Sequence, residues 1–363
     1  MKTFTLIILF LLALSTQIFA QLEPTLPALT FAPDARSAAM GDVGTATSAD
    51  VNSQHWNAAK YVFSNESSGI GLSYTPWLRD VTSDVSITYL SGFYKYNEKE
   101  SLSASLRFFS LGNIDFYTSN AEFLQRAKPN EFAIDVAYSR KLDKHFSGAV
   151  TFRYINSSKV SIQNYVPVIE HESNIAADIA FFYQKPVTLS FAEKSELAFG
   201  ATISNLGTKV SVSDSINYFL PMCFRLGARI TLNFDDKNSL APTIEFNKSL
   251  VPNDYKYANS TALSAATHGF ISDLSKITWA LGAEYSYSNQ FFVRAGYHHE
   301  SKSISNNSYI TFGLGVKYKT FDFGASYLFT TNSQNTILNN TYRLSVALAF
   351  GNSKKNNWYD YDL

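Results

Sequence analysis

The stretch SLSASLRF, residues 101–108, alternates polar and apolar side chains one by one. Successive side chains of a β-strand point to opposite faces, so a period of two predicts a strand with one apolar and one polar face. The apolar face holds Leu102, Ala104, Leu106 and Phe108, and the polar face holds Ser103, Ser105 and Arg107. A polar face of small residues with a single charge is typical of a strand that lines a crowded lumen.

The same alternation recurs to the end of the chain, and the apolar faces are predicted to contact lipid. In the second segment, for example, the apolar face holds Val85, Ile87, Tyr89 and Phe93. Most segments reach the roughly 9–11 residues of a tilted membrane strand. Fourteen such segments are predicted, over residues 69–77, 83–96, 102–111, 131–142, 145–157, 174–185, 195–206, 221–233, 240–250, 277–287, 290–299, 308–318, 321–331 and 341–351.

The connections between these segments alternate in length. Those after even-numbered segments are mostly short, as at 288–289 and 319–320, and those after odd-numbered segments are mostly long. The long connections are 112–130, 158–173, 207–220 and 251–276, while 78–82 and 186–194 depart from the alternation. Short periplasmic turns and long outer loops are the pattern of outer-membrane barrels, and an even strand count places both termini on the periplasmic side.

The main alternative is a soluble β-sandwich, whose strands also alternate but usually run shorter. After Gln21 no apolar stretch approaches the roughly 20 residues of a spanning helix, so a membrane protein of this sequence has to be a closed barrel. Segment length and the alternation of connection lengths favour an all-β transmembrane antiparallel barrel of about fourteen strands. Aromatic residues at segment ends agree with an interfacial girdle: Tyr94, Tyr96, Tyr138, Tyr183, Tyr285, Tyr297, Tyr318 and Phe350.

Composition excludes several classes of function. The 30 Lys and Arg balance the 30 Asp and Glu, so no basic face for nucleic acid is predicted. The one cysteine, Cys223, gives neither a disulfide framework nor a CxxC site. No GxSxG or HExxH context accompanies the six histidines, so no enzyme, cofactor or metal site is predicted.

The first twenty residues are predicted to be a cleaved export signal. Lys2 supplies the positive charge, residues 4–14 form an apolar core, and Ala20 is a small residue before cleavage at Gln21. A retained anchor helix is disfavoured because the apolar run is too short to span. The predicted organisation is a signal peptide (1–20), an N-terminal periplasmic segment and hatch (21–67), the barrel (68–351) and a C-terminal periplasmic tail (352–363).

The stretch DARSAAMGDVGTATSADVNSQHWNAAK, residues 34–60, precedes the first predicted strand. Gly41 and Gly44 do not form GxGxxG, and no Gly-Lys-Ser/Thr follows, so a phosphate-binding loop is not predicted. A flexible tail is the alternative, but the stretch is too apolar for one. Small residues permit close approach, which favours a compact plug inside the barrel.

This stretch resembles the N-terminal hatch motif of the FadL-type outer-membrane barrels. Within that superfamily the chain is most similar to the PorV family of the type IX secretion system of Bacteroidetes. The similarity rests on residues 34–36, 40–44, 53–57, 60–61, 203–209, 220–221 and 225–227. Ala58, where the family usually has proline, and Met222-Cys223, in place of more polar residues, depart from it. The hatch motif residues are Asp34, Arg36, Met40, Gly41, Gly44, Asp50, Trp56 and Asn57.

The resemblance implies partner binding rather than catalysis. Members of this family bind the large translocon barrel of the secretion system and the C-terminal domains of exported cargo. They pass the cargo to a surface attachment complex that includes a sortase-like protease. The alternative is a FadL-like channel for hydrophobic small molecules, which would want an apolar pocket near the hatch.

Three long connections carry apolar residues that are candidate partner contacts, since exposed apolar patches usually mark interaction sites. The alternative is that these residues fold inward and cap the barrel, because large apolar side chains favour burial. A helical turn is also expected within 251–276. The candidate residues are Tyr165, Val166, Val168, Tyr218, Phe219, Leu220, Phe270 and Ile271.

Charged residues of both signs are predicted on the lumen faces of the strands. They either line a polar route or pair with one another and with the hatch, and the cost of burying a lone charge favours pairing. These residues are Arg107, Asp135, Arg153, Asp178, Arg225, Arg229, Glu245, Glu284, Arg294 and Arg343. Gly200, Gly282, Gly313, Gly315 and Gly324 share the lumen face, where they would let the hatch approach.

Overall fold

The structure is a computed structural model that describes residues 26–352, except 80–81, 119, 164–165, 214–215, 253–256, 258, 273–276, 301–306, 332–337 and 339. The predicted signal peptide, Tyr165 and the tail beyond residue 352 lie outside the described residues. Within the described ranges, no helix is long and apolar enough to cross a membrane.

Fourteen antiparallel strands of the described chain close into a barrel, and the first strand pairs with the last. All fourteen predicted segments coincide with barrel strands, which confirms the predicted fold. The barrel strands are β1 (Glu66–Pro76), β2 (Ser86–Lys95), β3 (Glu100–Ser110), β6 (Asn130–Lys141), β7 (Phe146–Gln163), β8 (Val166–Leu189), β9 (Ala192–Gly207), β12 (Cys223–Asn233), β13 (Asn238–Ser249), β14 (Ile277–Tyr287), β15 (Phe291–His299), β16 (Tyr309–Tyr318), β17 (Phe321–Thr330) and β18 (Tyr342–Asn352).

Three of the predicted loops contain further strand structure. Connection 112–130 forms a hairpin of β4 (Ile114–Tyr117) and β5 (Phe123–Ala127), and connection 207–220 forms one of β10 (Lys209–Ser213) and β11 (Ile216–Phe219). The prediction that 158–173 is a loop is wrong, because β7 and β8 stay paired as far as Gln163 and Val166. Two paired strands that continue past the barrel rim keep their backbone hydrogen bonds, which a loop would give up to water.

The described helices are short and fall in two places. Ahead of β1 lie α1 (Ala35–Ala38), α2 (Ser53–Trp56) and two 3₁₀ turns, Pro27–Leu29 and Ala58–Phe63. The helical turn expected within 251–276 is a ten-residue helix, α3 (Ala262–Ile271).

The two faces of the barrel wall differ in side-chain size and polarity. On β3, Leu102, Leu106 and Phe108 are exposed on the outside, whereas Ser103 and Arg107 are buried inside. Exposed large apolar side chains recur on every barrel strand, as a wall in contact with lipid requires.

Strand β2 is the exception, and the prediction for its faces is wrong. Val85, Ile87, Tyr89 and Phe93 are buried on the inside, and Leu90 is among the exposed residues. The inner wall tolerates apolar side chains here because they pack against the residues that precede β1 and not against water. The ring of Phe93, for example, stacks on that of Tyr61 at 4.7 Å. The prediction assumed a polar lumen throughout.

Candidate functional site

Residues 26–63, the luminal segment, run through the inside of the barrel. At the start, Leu26 and Leu29 pack with Ile155 and Leu220 at the end of the barrel that carries the long connections. Further along, the carbonyl of Ala58 accepts a hydrogen bond of 2.8 Å from Ser139, close to the short turns. The segment therefore crosses the barrel from the long-connection end to the short-turn end before it enters β1.

A buried ion network holds the middle of the luminal segment. Arg36 donates to both carboxylate oxygens of Glu284 on β14, at 2.9 and 2.7 Å, and to Asp50 at 2.9 Å. Arg294 on β15 donates to the same Glu284 at 2.7 Å. Although burial lowers the pKa of the Arg36 guanidinium, Glu284 and Asp50 raise it above its ordinary value. The network keeps Arg36 charged and joins the segment to two strands.

Backbone groups of the luminal segment are also fixed by wall side chains. The carboxylate of Glu245 on β13 accepts from the amides of Gly44 and Thr45 at 2.9 and 2.8 Å. On β16, Thr311 accepts from the amide of Gly41 at 2.8 Å and donates to a luminal carbonyl at 2.9 Å. On β8, the carbonyl of residue 181 accepts from Asn57 at 2.9 Å. These bonds position the segment on opposite sides of the barrel.

The predicted hatch motif residues contact one another as well as the wall. The indole of Trp56 donates to Asp34 at 2.8 Å, and the second carboxylate oxygen of Asp34 accepts from the amide of Ser37 at 2.9 Å, which caps α1. A Cβ on Gly44 would overlap the Trp56 ring, so only glycine fits there. Met40 is buried with Val43 against Ala280 of β14.

Wall glycines let the luminal backbone approach the strands. A Cβ on Gly200 would overlap the carbonyl of Thr45, and one on Gly282 would lie 2.6 Å from the carbonyl oxygen of Met40. A Cβ on Gly296 would overlap the backbone of residues 40 and 41. The barrel wall and the luminal segment are therefore shaped to each other at several strands.

The charged residues predicted on the lumen face have partners in other wall residues or in the luminal segment, as the cost of burying a lone charge favours. Arg153 donates to Asp135 at 2.6 Å and to Asp178 at 2.9 Å. Arg343 donates to the carbonyl of luminal residue 32 at 3.0 Å, and Arg107 donates to that of residue 28 at 2.5 Å. Across the described ranges, no group of three or more His, Cys, Asp or Glu side chains is placed to hold a metal ion.

Lys60 ends the stretch 34–60 that was predicted to be a plug, but no partner was predicted for its charge. Its ammonium is fully buried and donates to the carbonyl of Gly44 at 2.7 Å and to Thr47 at 3.0 Å. Burial disfavours the charged form and lowers the pKa of Lys60 from 10.5 to about 8.

The depressed pKa of Lys60 makes stability depend on pH. Between pH 8 and 10.5 the unfolded chain binds a proton that the folded chain has released, so the free energy of unfolding rises with pH in that window. We expect a gain of about 2 kcal/mol from pH 8 to 10 relative to Lys60→Met, measured by urea unfolding in lipid. Lys194→Met, which removes an exposed ammonium, should keep the wild-type slope. Equal slopes for wild type and Lys60→Met would contradict the expectation.

The structure separates the predicted partner-contact residues into three groups. Phe219 and Leu220 are both buried. Leu220 packs with Leu26 and Leu29 of the luminal segment, as the inward-capping alternative describes, whereas Phe219 belongs to the apolar cluster that includes Ala265 and Ala266 of α3. Val168 and Tyr218 are half-buried at the long-connection end. Phe270 and Ile271 are exposed on α3. Val166 lies on β8, and Tyr165 is outside the described residues.

Sequence reasoning missed the β4–β5 hairpin as a candidate surface. Ile114, Tyr117, Phe123 and Leu124 are exposed on it, and β5 lies beside β8 of the long β7–β8 hairpin. An ion pair of 2.6 Å between Arg126 and Asp115 joins its strands. The aromatic cluster within 112–130 was the available signal, but the length of that connection suggested only a loop.

The sequence model of the family described as "Type IX secretion system protein PorV" matches residues 17–256, more than half of the chain. The chain belongs to the PorV family. PorV family membership and the closed barrel make it an outer-membrane component of the type IX secretion system. No curated protein matches the chain in sequence.

Solved structures with a similar fold are outer-membrane barrels. The Pseudomonas putida toluene transporter TodX is similar at 10% identity with a TM-score of 0.53, covering 87% of this chain and 96% of that chain. A second TodX structure gives 10% identity and a TM-score of 0.50, with coverage of 88% and 99%. A Pseudomonas aeruginosa FadL homologue gives 10% identity and a TM-score of 0.48, covering 88% of this chain and 98% of that chain. At these identities the TodX likeness shows the fold that this PorV family member shares, and nothing of its ligand.

Proposed function

We propose that this PorV family member is a non-enzymatic binding component of the secretion system. It binds the translocon barrel and the C-terminal domains of exported cargo, and it passes cargo to the sortase-like attachment complex at the cell surface. The observation that carries the proposal is an apolar surface at the long-connection end, formed by the β4–β5 hairpin and the adjoining β7–β8 hairpin.

This rim surface has the composition of a protein contact. Tyr117 and Phe123 are exposed on the β4–β5 hairpin, and Ile169 is exposed where the β7–β8 hairpin extends past its pairing with β6 and β9. No closed lipid-facing wall explains their exposure there. Aromatic side chains supply large contact areas and are enriched where proteins bind one another. Cargo or translocon would cover these side chains on binding.

The contacts of the luminal segment support a partner-binding function over the alternative of a channel for small molecules. In a channel for small molecules, the segment would have to leave its bonds to Glu284 on β14 and Glu245 on β13. Both carboxylates would then be left buried without those donors, which is costly in a confined interior. We propose that the segment acts as a fixed hatch, which keeps the outer membrane sealed while partners bind at the rim.

A triple variant of the rim surface tests partner binding. Tyr117→Glu, Phe123→Glu and Ile169→Glu together place charges in the contact, so co-purification of translocon and cargo with the tagged protein should fall at least tenfold, the effect of about 1.4 kcal/mol. Asn97→Glu with Lys99→Glu, at a short turn, lowers the net charge by the same amount and should leave co-purification unchanged. Undiminished co-purification by the triple variant would contradict the proposal.

A deletion strain separates the two functions. Loss of a secretion component leaves cargo proteins stranded in the periplasm, whereas loss of a channel reduces uptake of a hydrophobic small molecule. We expect stranded cargo with unchanged uptake, and the reverse result would favour the channel. N-terminal sequencing of the protein from outer membranes should begin at Gln21, the proposed cleavage site of the signal peptide.

A further inference from the structure

Helix α3 lies on the outside of the barrel, against the wall that faces lipid. Thr202 on β9 and Arg225 on β12 are buried on the lumen side, so their neighbours Ile203 and Phe224 point outward. α3 packs on both of these outward side chains. The ring of Phe270 meets that of Phe224 edge to face at 5.3 Å.

A surface helix in water buries its large apolar residues against the protein, and α3 has the opposite arrangement. Its small residues Ala265, Ala266 and Gly269 are buried against the barrel, and a Cβ on Gly269 would overlap the carbonyl of residue 250. Its large apolar residues are exposed: Leu263 and Ile271 are 68% and 81% exposed, and Phe270, whose edge meets Phe224, is 50% exposed. Small residues toward protein and large apolar ones away is the pattern of helices packed in lipid.

Both ends of α3 are capped, and the hydroxyl of its exposed Thr267 donates to the carbonyl of Ser264 at 2.9 Å. The helix sequence ALSAATHGFI contains no Lys, Arg, Asp or Glu. At its start, Thr261 accepts from the amide of Ser264 at 3.3 Å. At its end, Lys248 donates to the carbonyl of Ser272 at 2.8 Å. Lys248 points to the outside of β13 but is only 6% exposed, because α3 covers its ammonium.

The position of α3 is continuous with the lipid-facing wall. Phe224 pairs in register with Ile203 and Lys248, and the next outward row holds the exposed Leu226 and Phe246. α3 therefore begins where the exposed apolar wall reaches the long-connection end. Ten residues of helix span about 15 Å, half of a hydrocarbon core of about 30 Å, so α3 fits within one leaflet.

We propose that α3 is embedded in the outer leaflet of the membrane, where lipid covers Leu263, Phe270 and Ile271. The helix widens the barrel's contact with lipid on one side and shields Lys248 from it. This inference goes beyond the proposed function, and it removes Phe270 and Ile271 from the surface that binds proteins. α3 also lies outside the residues matched by the family model.

Site-directed spin labelling tests the proposal on the full mature chain. Cys223 is the only cysteine, so Cys223→Ser gives a background for single labels. Ile271→Cys and, independently, Leu263→Cys carry a nitroxide on the exposed face of α3. Leu314→Cys on the outside of β16 is the lipid reference, and Asp236→Cys, at a short turn where the side chain is 94% exposed, is the water reference.

The readout is the ratio of collisions with oxygen to collisions with a water-soluble nickel chelate, in phosphatidylcholine vesicles. Oxygen concentrates in lipid and the chelate in water, so both α3 labels should give ratios close to that of Leu314→Cys. Ratios equal to that of Asp236→Cys at both positions would overturn the proposal. So would α3 labels that are wet in vesicles and lose contact with the chelate only when translocon is added, because a protein would then be the occupant.

Discussion

Glu284→Gln is expected to lower the free energy of unfolding by about 3–5 kcal/mol, the cost of removing one partner of a buried ion pair. Glu284 is the acceptor for both Arg36 and Arg294, whose side chains are 17% and 4% exposed, so little solvent is at hand to replace its carboxylate. Urea unfolding in lipid vesicles measures the change. Glu100→Gln is the matched control, since Glu100 pairs at 3.6 Å with an exposed Arg140 and should cost less than about 1 kcal/mol.

The same substitution should loosen the luminal segment without opening the barrel strands. Arg36 would keep its bonds to Asp50 and Ser48, which both lie in the luminal segment itself, so this tie between segment and wall would be lost. Trypsin should then cleave at Arg36 or Lys60 in folded protein, and conductance across a planar bilayer should rise. A variant with normal stability, normal protease resistance and no conductance would show that the network does not hold the hatch.

Gly296→Val is expected to destabilise the folded protein by about 1–3 kcal/mol or more, because overpacking usually has a cost of that size. The first added carbon would overlap the backbone of Met40 and Gly41, and backbone cannot rotate away as a side chain can. The luminal segment would have to move from β15, and its bonds to Thr311 would break. The fraction of compact, heat-modifiable barrel on gels measures the loss.

Gly148→Val is the control for Gly296→Val. Gly148 also lies on a barrel strand, but its added Cβ would meet only the side chains of Leu142 and Phe181, at 3.5 and 3.6 Å. These are ordinary van der Waals distances, so folding should be nearly normal. Similar losses for both variants would mean that added bulk at any wall glycine, and not contact with the luminal segment, explains the effect.

The alternation of side chains was sufficient to locate the barrel, because the period of two is a local property that each strand carries in its own sequence. The inward face of β2 was not predictable in that way. Tyr89 and Phe93 look lipid-facing until the luminal segment is known to fill the space beside them. The local sequence pattern indicates that one face of a strand is apolar, but only the folded structure shows whether that face contacts lipid or protein.

Pairing inside the barrel was predictable as a principle but not in its particulars. Burial cost implied that Arg36 and Glu284 each need a partner, yet 248 residues separate them, and their meeting depends on the register of every strand between. Phe219 and Phe270 illustrate the same limit for the loops. Both are large apolar residues in long connections, yet Phe219 is buried in the cluster that includes Ala265 of α3, and Phe270 is exposed on that helix.

The contacts of the luminal segment also constrain how the protein acquires its structure. The amide of Ala35 donates to Ser345, 310 positions later, and Arg343 on the same final strand holds the carbonyl of Ala32. Contacts between such distant positions close large loops at a high entropic cost, which makes folding slow. We therefore expect residues 32–35 to stay unfolded until the C-terminal strand arrives and to become ordered with it in the same cooperative step.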